Sequence, residues 1–111
     1  MNNEFFSSEE MAALKELKET LKVFAGDRIR ILLFGSRARG DYDSESDMDV
    51  AIILRGLTRE AKNQILDMVA DIELKYLTPL STLVLSENDF ELLKNRERRL
   101  ALDIEREGIP L

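Results

Sequence analysis

Phe34-Gly35-Ser36-Arg37-Ala38-Arg39-Gly40, followed by Ser46-Asp47-Met48-Asp49-Val50-Ala51-Ile52-Ile53-Leu54, is the stretch that decides the reading of this chain. A Gly-Ser turn leaves one apolar run, and two aspartates two positions apart open the next. Successive side chains of a β-strand point to opposite faces, so Asp47 and Asp49 share one face while Met48, Val50, Ile52 and Leu54 take the other. Two carboxylates presented together suit a divalent cation. The glycine lets backbone approach a ligand, and Ser36 adds a hydroxyl beside exposed amides at a helix start. The pattern joins a phosphate cradle to a metal site.

Working outward on both sides, Ser7 stands three residues before Glu10, the spacing of a capping box. Met11, Leu14, Leu17, Leu21 and Phe24 then recur at helical spacing, which predicts an amphipathic helix ending before Gly26. Arg28 to Phe34 reads as a central strand. The polar segment from Arg37 to Ser46 is predicted to be a turn or short helix followed by a loop, and a second strand runs from about Met48 to Leu54. Ala61, Ile65, Met68, Val69, Ile72 and Tyr76 mark a second long helix that Pro79 ends. Leu80 to Leu85 is a third strand. Ser86, opposite Asp89, caps a last helix whose apolar face takes in Phe90, Leu93, Leu100 and Ile104, with Gly108 and Pro110 as its stop. This order gives an α/β (α+β) domain over residues 1–111, a small mixed sheet that carries the site flanked by helices.

Composition narrows the chemistry. With 111 residues the chain fits one domain, so a large substrate must be held by something else. The formal charge of −6 argues against direct nucleic-acid binding as the main role, since that mode neutralises phosphates with a basic patch. Cysteine and histidine are absent, so metal binding must use oxygen ligands, which favours magnesium, manganese or calcium. Alternating acids from Asp41 to Asp49 do not make a calcium loop, because the sixth position from Asp41 is Ser46 and the twelfth is Ile52. No apolar stretch reaches the roughly 20 residues of a membrane span. The start has no basic segment, and both features point to a cytoplasmic protein without membrane contacts.

Gly35-Ser36, ten intervening residues, then Asp47-x-Asp49 running into an apolar strand resembles the signature of the DNA polymerase beta nucleotidyltransferase superfamily. The fuller string is similar to that of minimal nucleotidyltransferases, small proteins found with HEPN-domain partners in toxin–antitoxin pairs. Ile104-Glu105-Arg106-Glu107-Gly108-Ile109 resembles that group's closing segment. The resemblance implies a magnesium- or manganese-dependent transfer of a nucleotide, AMP from ATP, to a hydroxyl of a partner protein, with the chain as antitoxin to an HEPN-domain toxin. Gly35 and Ser36 then form the triphosphate cradle, helped by Arg37 and Arg39, and Asp47 and Asp49 are the catalytic carboxylates and metal ligands. Homo-oligomerisation stays open.

The chain departs from that pattern at one point. Active superfamily members place a third carboxylate on the strand after the second helix, and Leu80-Ser81-Thr82-Leu83-Val84-Leu85 has no acid, with Ser81 or Leu83 at its place. Glu73 and Glu87 are the nearest candidates to replace it. A degenerate antitoxin that keeps nucleotide binding and acts by contact is therefore the alternative reading. A third is the catalytic half of a two-subunit enzyme acting on a small molecule. Without a phosphate role, Arg37 and Arg39 read as turn residues paired with Asp41 or Asp43. Lys94, Arg96, Arg98 and Arg99 read as a solvated helix face.

Overall fold

The computed structural model describes residues 6–39 and 47–111, with the side chain of Ser36 outside that description. The Ser36 hydroxyl, Gly40, and the loop acids Asp41, Asp43 and Glu45 therefore lie outside the described residues. The first helix, α1 (Ser8–Ala25), begins at the expected capping box. Glu10 N–H donates to Ser7 Oγ at 3.1 Å, and Ser7 N–H donates to Glu10 Oε1 at 2.8 Å. One 3-10 turn at Gly26–Arg28 leads into β1 (Ile29–Phe34), and a short helix α2 (Gly35–Arg39) follows without a break.

Next come β2 (Met48–Leu54), α3 (Arg59–Tyr76) and β3 (Leu80–Ser86). The strands β2 and β3 are parallel, and the intervening helix supplies the crossover such a pair requires. Strand β1 lies antiparallel to β2, which puts Phe34 opposite Asp49. The chain closes with α4 (Glu87–Asn95), α5 (Arg99–Glu107) and β4 (Ile109–Pro110). The sheet order is β3-β2-β1-β4, a mixed four-stranded sheet with helices on both faces.

Alternation along the strands divides the core in two. Ile29, Ile31 and Leu33 of β1 and Met48, Val50, Ile52 and Leu54 of β2 meet α1 and α3 through Leu14, Leu17, Leu21, Ile65, Val69 and Ile72. The opposite face carries Leu32, Ala51 and Ile53 against Phe90 of α4 and Ala101 and Ile104 of α5. Among the described residues no helix is long and apolar enough to cross a membrane.

Two sequence expectations need correction. The last helix is two helices, broken where Glu97 takes a left-handed conformation at φ 54°. The N–H groups of Arg96, Glu97 and Arg98 turn back to the carbonyls of Leu92, Lys94 and Leu93, which satisfies the end of α4. The break rotates Leu100 outward, and it is exposed rather than part of the apolar face. The second correction is β4. Gly108 and Pro110 were expected only to stop a helix, yet Ile109 and Pro110 pair with Leu33 and Leu32. A proline is tolerated there because β4 is the edge of the sheet.

Candidate active site

The carboxylate pair stands where β2 begins. Met48 turns into the α1/α3 layer, so Asp49 emerges on the α4/α5 face, half-buried, while Asp47 just before the strand is exposed. Burial pushes the Asp49 carboxyl above the usual range, and the charge of Asp47 beside it pushes the same way. The Ser81 hydroxyl beside Asp49 and the Arg39 cation oppose that shift without cancelling it. A carboxylate kept charged against burial and a like neighbour gains from a cation placed between the two.

Gly35 fits this site by close packing. Its φ is +78°, a left-handed conformation that favours glycine, and a Cβ built there would stand 3.1 Å from Asp49 Cγ and 3.3 Å from Asp49 Cβ. The turn from β1 into α2 therefore rests its backbone directly on the second aspartate. The sequence placed Gly35, Asp47 and Asp49 in one site, and the fold brings them together through the β1–β2 pairing.

The two arginines of α2 go opposite ways. Arg37 is buried, its Nη2 donating to Glu10 Oε1 at 2.8 Å and Oε2 at 2.9 Å, and its guanidinium lies 5.2 Å from the centre of the Phe6 ring. Burial raises the Glu10 carboxyl, but Arg37 and the Ser7 amide outweigh it and hold the group below the usual carboxylate range. Arg39 instead donates to Glu107 Oε2 at 3.1 Å on the α5 side, where its charge also reaches Asp49. The pairings weighed in the sequence, with Asp41 or Asp43, fall on residues outside the described part. Glu10 was legible as a cap, but its partner lies 27 positions away and no local pattern signals the contact.

The acids named as substitutes for a third carboxylate stand elsewhere. Glu73 Oε2 accepts from the Leu80 amide at 3.0 Å, on the α3 side of the sheet. Glu87 follows Ser86, which pairs with Leu54 at the far end of β2, five strand positions, roughly 16 Å, from the level of Asp49, so Glu87 lies beyond that. The residue opposite Asp49 is Ser81. Among the described residues, no group of three acidic, histidine or cysteine side chains could hold a metal.

A profile of the nucleotidyltransferase domain matches residues 13–107. Two proteins of Methanocaldococcus jannaschii that carry the provisional name protein adenylyltransferase are each 38% identical to this chain. One match spans 73 residues, 64% of this chain and 74% of the relative, and the other spans 82 residues, 73% and 78% respectively. A crystal structure from Sulfolobus solfataricus, provisionally named a nucleotidyltransferase, superimposes with a TM-score of 0.55 at 23% identity over 90% of this chain and 77% of that one, and shows the same fold. With the glycine turn seated against the aspartate pair and these matches over most of its length, the chain belongs to the nucleotidyltransferase domain family.

Proposed function

We propose that the chain transfers AMP from ATP to a hydroxyl of a partner protein, with Asp47 and Asp49 holding magnesium or manganese. The observation that carries this reading is the packing of Gly35 on Asp49, which sets the backbone that would hold the triphosphate against the carboxylates that would hold the metal. The donor set fits the ion: two carboxylate groups, one exposed and one half-buried, with the thioether of Met48 between them turned away into the core. When bound, the metal neutralises charge that develops on the phosphate oxygens. The backbone of Gly35 and Ser36 would position the triphosphate, and Arg39, already within electrostatic reach of Asp49, would add positive charge at its edge. The acceptor oxygen attacks the α-phosphorus, the bond to the β-phosphate oxygen breaks, pyrophosphate leaves, and the hydroxyl proton passes to solvent or to a base on the acceptor.

The names of the M. jannaschii relatives support a protein as the acceptor. We propose likewise that the partner is an HEPN-domain toxin, a reading supported by the resemblance of the motif string over residues 34–40 and 46–50. Phosphate contact is proposed for Arg39 alone of the two arginines, since Arg37 is buried with its Nη2 on Glu10. A second reading, a subunit that neutralises its partner by contact alone, is favoured by one observation: a serine stands opposite Asp49.

The test is transfer of label from α-phosphate-labelled ATP, with magnesium, to a co-expressed HEPN-domain partner, beside the Asp49→Asn variant. Label on the partner that disappears in the variant is the expected result. Equal labelling by both proteins would refute the site. A stable complex of the two proteins without label would favour neutralisation by contact.

A further inference from the structure

Resting on the proposed nucleotidyl transfer, we infer that Ser81 is a positioning residue that fills the place of a third carboxylate, and that the chain therefore takes up one divalent cation rather than a pair. The register is the first support. Asp49 and Ser81 are direct partners in the parallel β2–β3 ladder, on strands roughly 4.8 Å apart, and direct partners point to the same face. The neighbours agree: Leu80 packs into the α1/α3 layer, whereas Leu83, two positions after Ser81, packs with Phe90, Ala51 and Ile53. Ser81 is itself exposed, so its side is open to ligand.

The second support is the chemistry of the group at that position. A serine hydroxyl beside Asp49 is neutral and can orient a neighbouring carboxylate by donating to it, but it brings no charged oxygen to hold a second metal. The third support is the supply of ligands. A pair of divalent cations about 3.5–4 Å apart needs protein carboxylates for an ion that the triphosphate does not itself hold, and Asp47 and Asp49 are two groups only. Serine adds no carboxylate, Glu73 is engaged on the far side of the sheet, and Glu87 lies past the other end of β3. The two aspartates suffice for a single cation shared with the triphosphate. Activation of the acceptor hydroxyl then falls to the acceptor, not to this chain's β3.

The test counts bound manganese by electron paramagnetic resonance, with a saturating ATP analogue that has a methylene between the α- and β-phosphorus. The wild-type chain is expected to bind one manganese per chain, and Ser81→Asp two. Ser81→Asn, which restores neither charge nor a metal-binding carboxylate, is expected to stay at one. Ser81→Ala is expected to keep one ion with about tenfold weaker affinity, as for loss of a group that orients a ligand. Thermal unfolding keeps the test sound if Ser81→Asp is unstable: its added charge beside Asp49 should lower the melting temperature without metal, and manganese should restore it. Two ions in the wild-type chain, or one in a folded Ser81→Asp, would overturn the inference while leaving the proposed function standing. No bound ion in the wild-type chain with the nucleotide present would overturn the proposed function, and the inference with it.

Discussion

Replacing Gly35 with alanine is expected to disable the site far more than it weakens the fold, and two other glycines supply the controls. Gly26, Gly35 and Gly56 all have positive φ, at 59°, 78° and 75°. An L-residue in that region costs about 1–2 kcal/mol, and the reduced freedom of the unfolded chain returns about 0.4–1 kcal/mol. At Gly26 and Gly56 nothing lies within 4 Å of the added Cβ, so both variants read backbone strain without a clash; the net loss is roughly 1 kcal/mol at Gly56 and larger at Gly26, whose ψ of −132° lies outside the left-handed helical basin. At Gly35 the added carbon meets Asp49 Cγ at 3.1 Å and Cβ at 3.3 Å. The carboxylate end can swing away, but Asp49 Cβ is fixed to β2 and moves only with the strand. Overpacking of this kind adds about 1–3 kcal/mol.

For a chain of this size about 1 kcal/mol lowers the melting temperature by roughly 4 °C. Gly56→Ala should therefore lose about 4 °C and Gly35→Ala roughly 8–16 °C by the same scaling. The functional difference should be larger. Turning Asp49 aside moves it away from Ser81, its partner in β3, and out of alignment with Asp47, and a misplacement of about 1 Å at a reacting centre costs about a hundredfold in rate. The assays are thermal unfolding and transfer of label to the partner, on all three variants. Gly35→Ala that melts with Gly56→Ala and retains label transfer would refute the claim that Gly35 is required by its contact with Asp49.

Glu10→Gln should cost about 3 kcal/mol, measured by urea unfolding at neutral pH, because it takes the charged carboxylate from a buried guanidinium. The Glu10 carboxyl is held below its ordinary value, so its contribution is full above the unfolded value near 4.5 and is lost as pH falls through the depressed folded value; the stability gap between wild type and Glu10→Gln should close over that acid range. Arg39→Ala should change stability by less than about 1 kcal/mol, since its pair with Glu107 is exposed, while raising the nucleotide KM more than it lowers kcat; an unchanged KM would remove Arg39 from the proposed site. Phe90→Ala should cost about 3–5 kcal/mol in chemical unfolding, because the ring is fully buried at the centre of the layer behind the carboxylates.

The elements that were legible in the sequence are those whose signal is local. The capping box at Ser7 and Glu10, the cap at Ser86, and the alternation that divides Met48 from Asp49 are set by spacings of two to four residues, which the chain itself displays. The break between α4 and α5 was not legible, because a glutamate rather than a glycine holds the left-handed position at Glu97. Strand β4 was hidden for a related reason. Two residues, one of them proline, carry no alternation, and only the free edge of β1 makes them a strand.

The partners of Arg37 and Arg39 define the last step. Both arginines sit on a helix of five residues, too short to hold its own position, between the two helical layers. Arg37 ties that helix to the start of α1 in one layer, and Arg39 ties it to the end of α5 in the other. The turn at Gly35, which rests on Asp49, is thus held from both faces of the sheet by charge pairs of unequal strength, one buried and one exposed. The buried pair fixes where the cradle sits. The exposed one involves Arg39, whose charge reaches Asp49, so under the proposed function a bound triphosphate would compete with Glu107 for Arg39 without disturbing the anchor at Arg37. A turn held this way would exchange one contact for a ligand and keep its geometry, as the proposed nucleotidyl transfer requires.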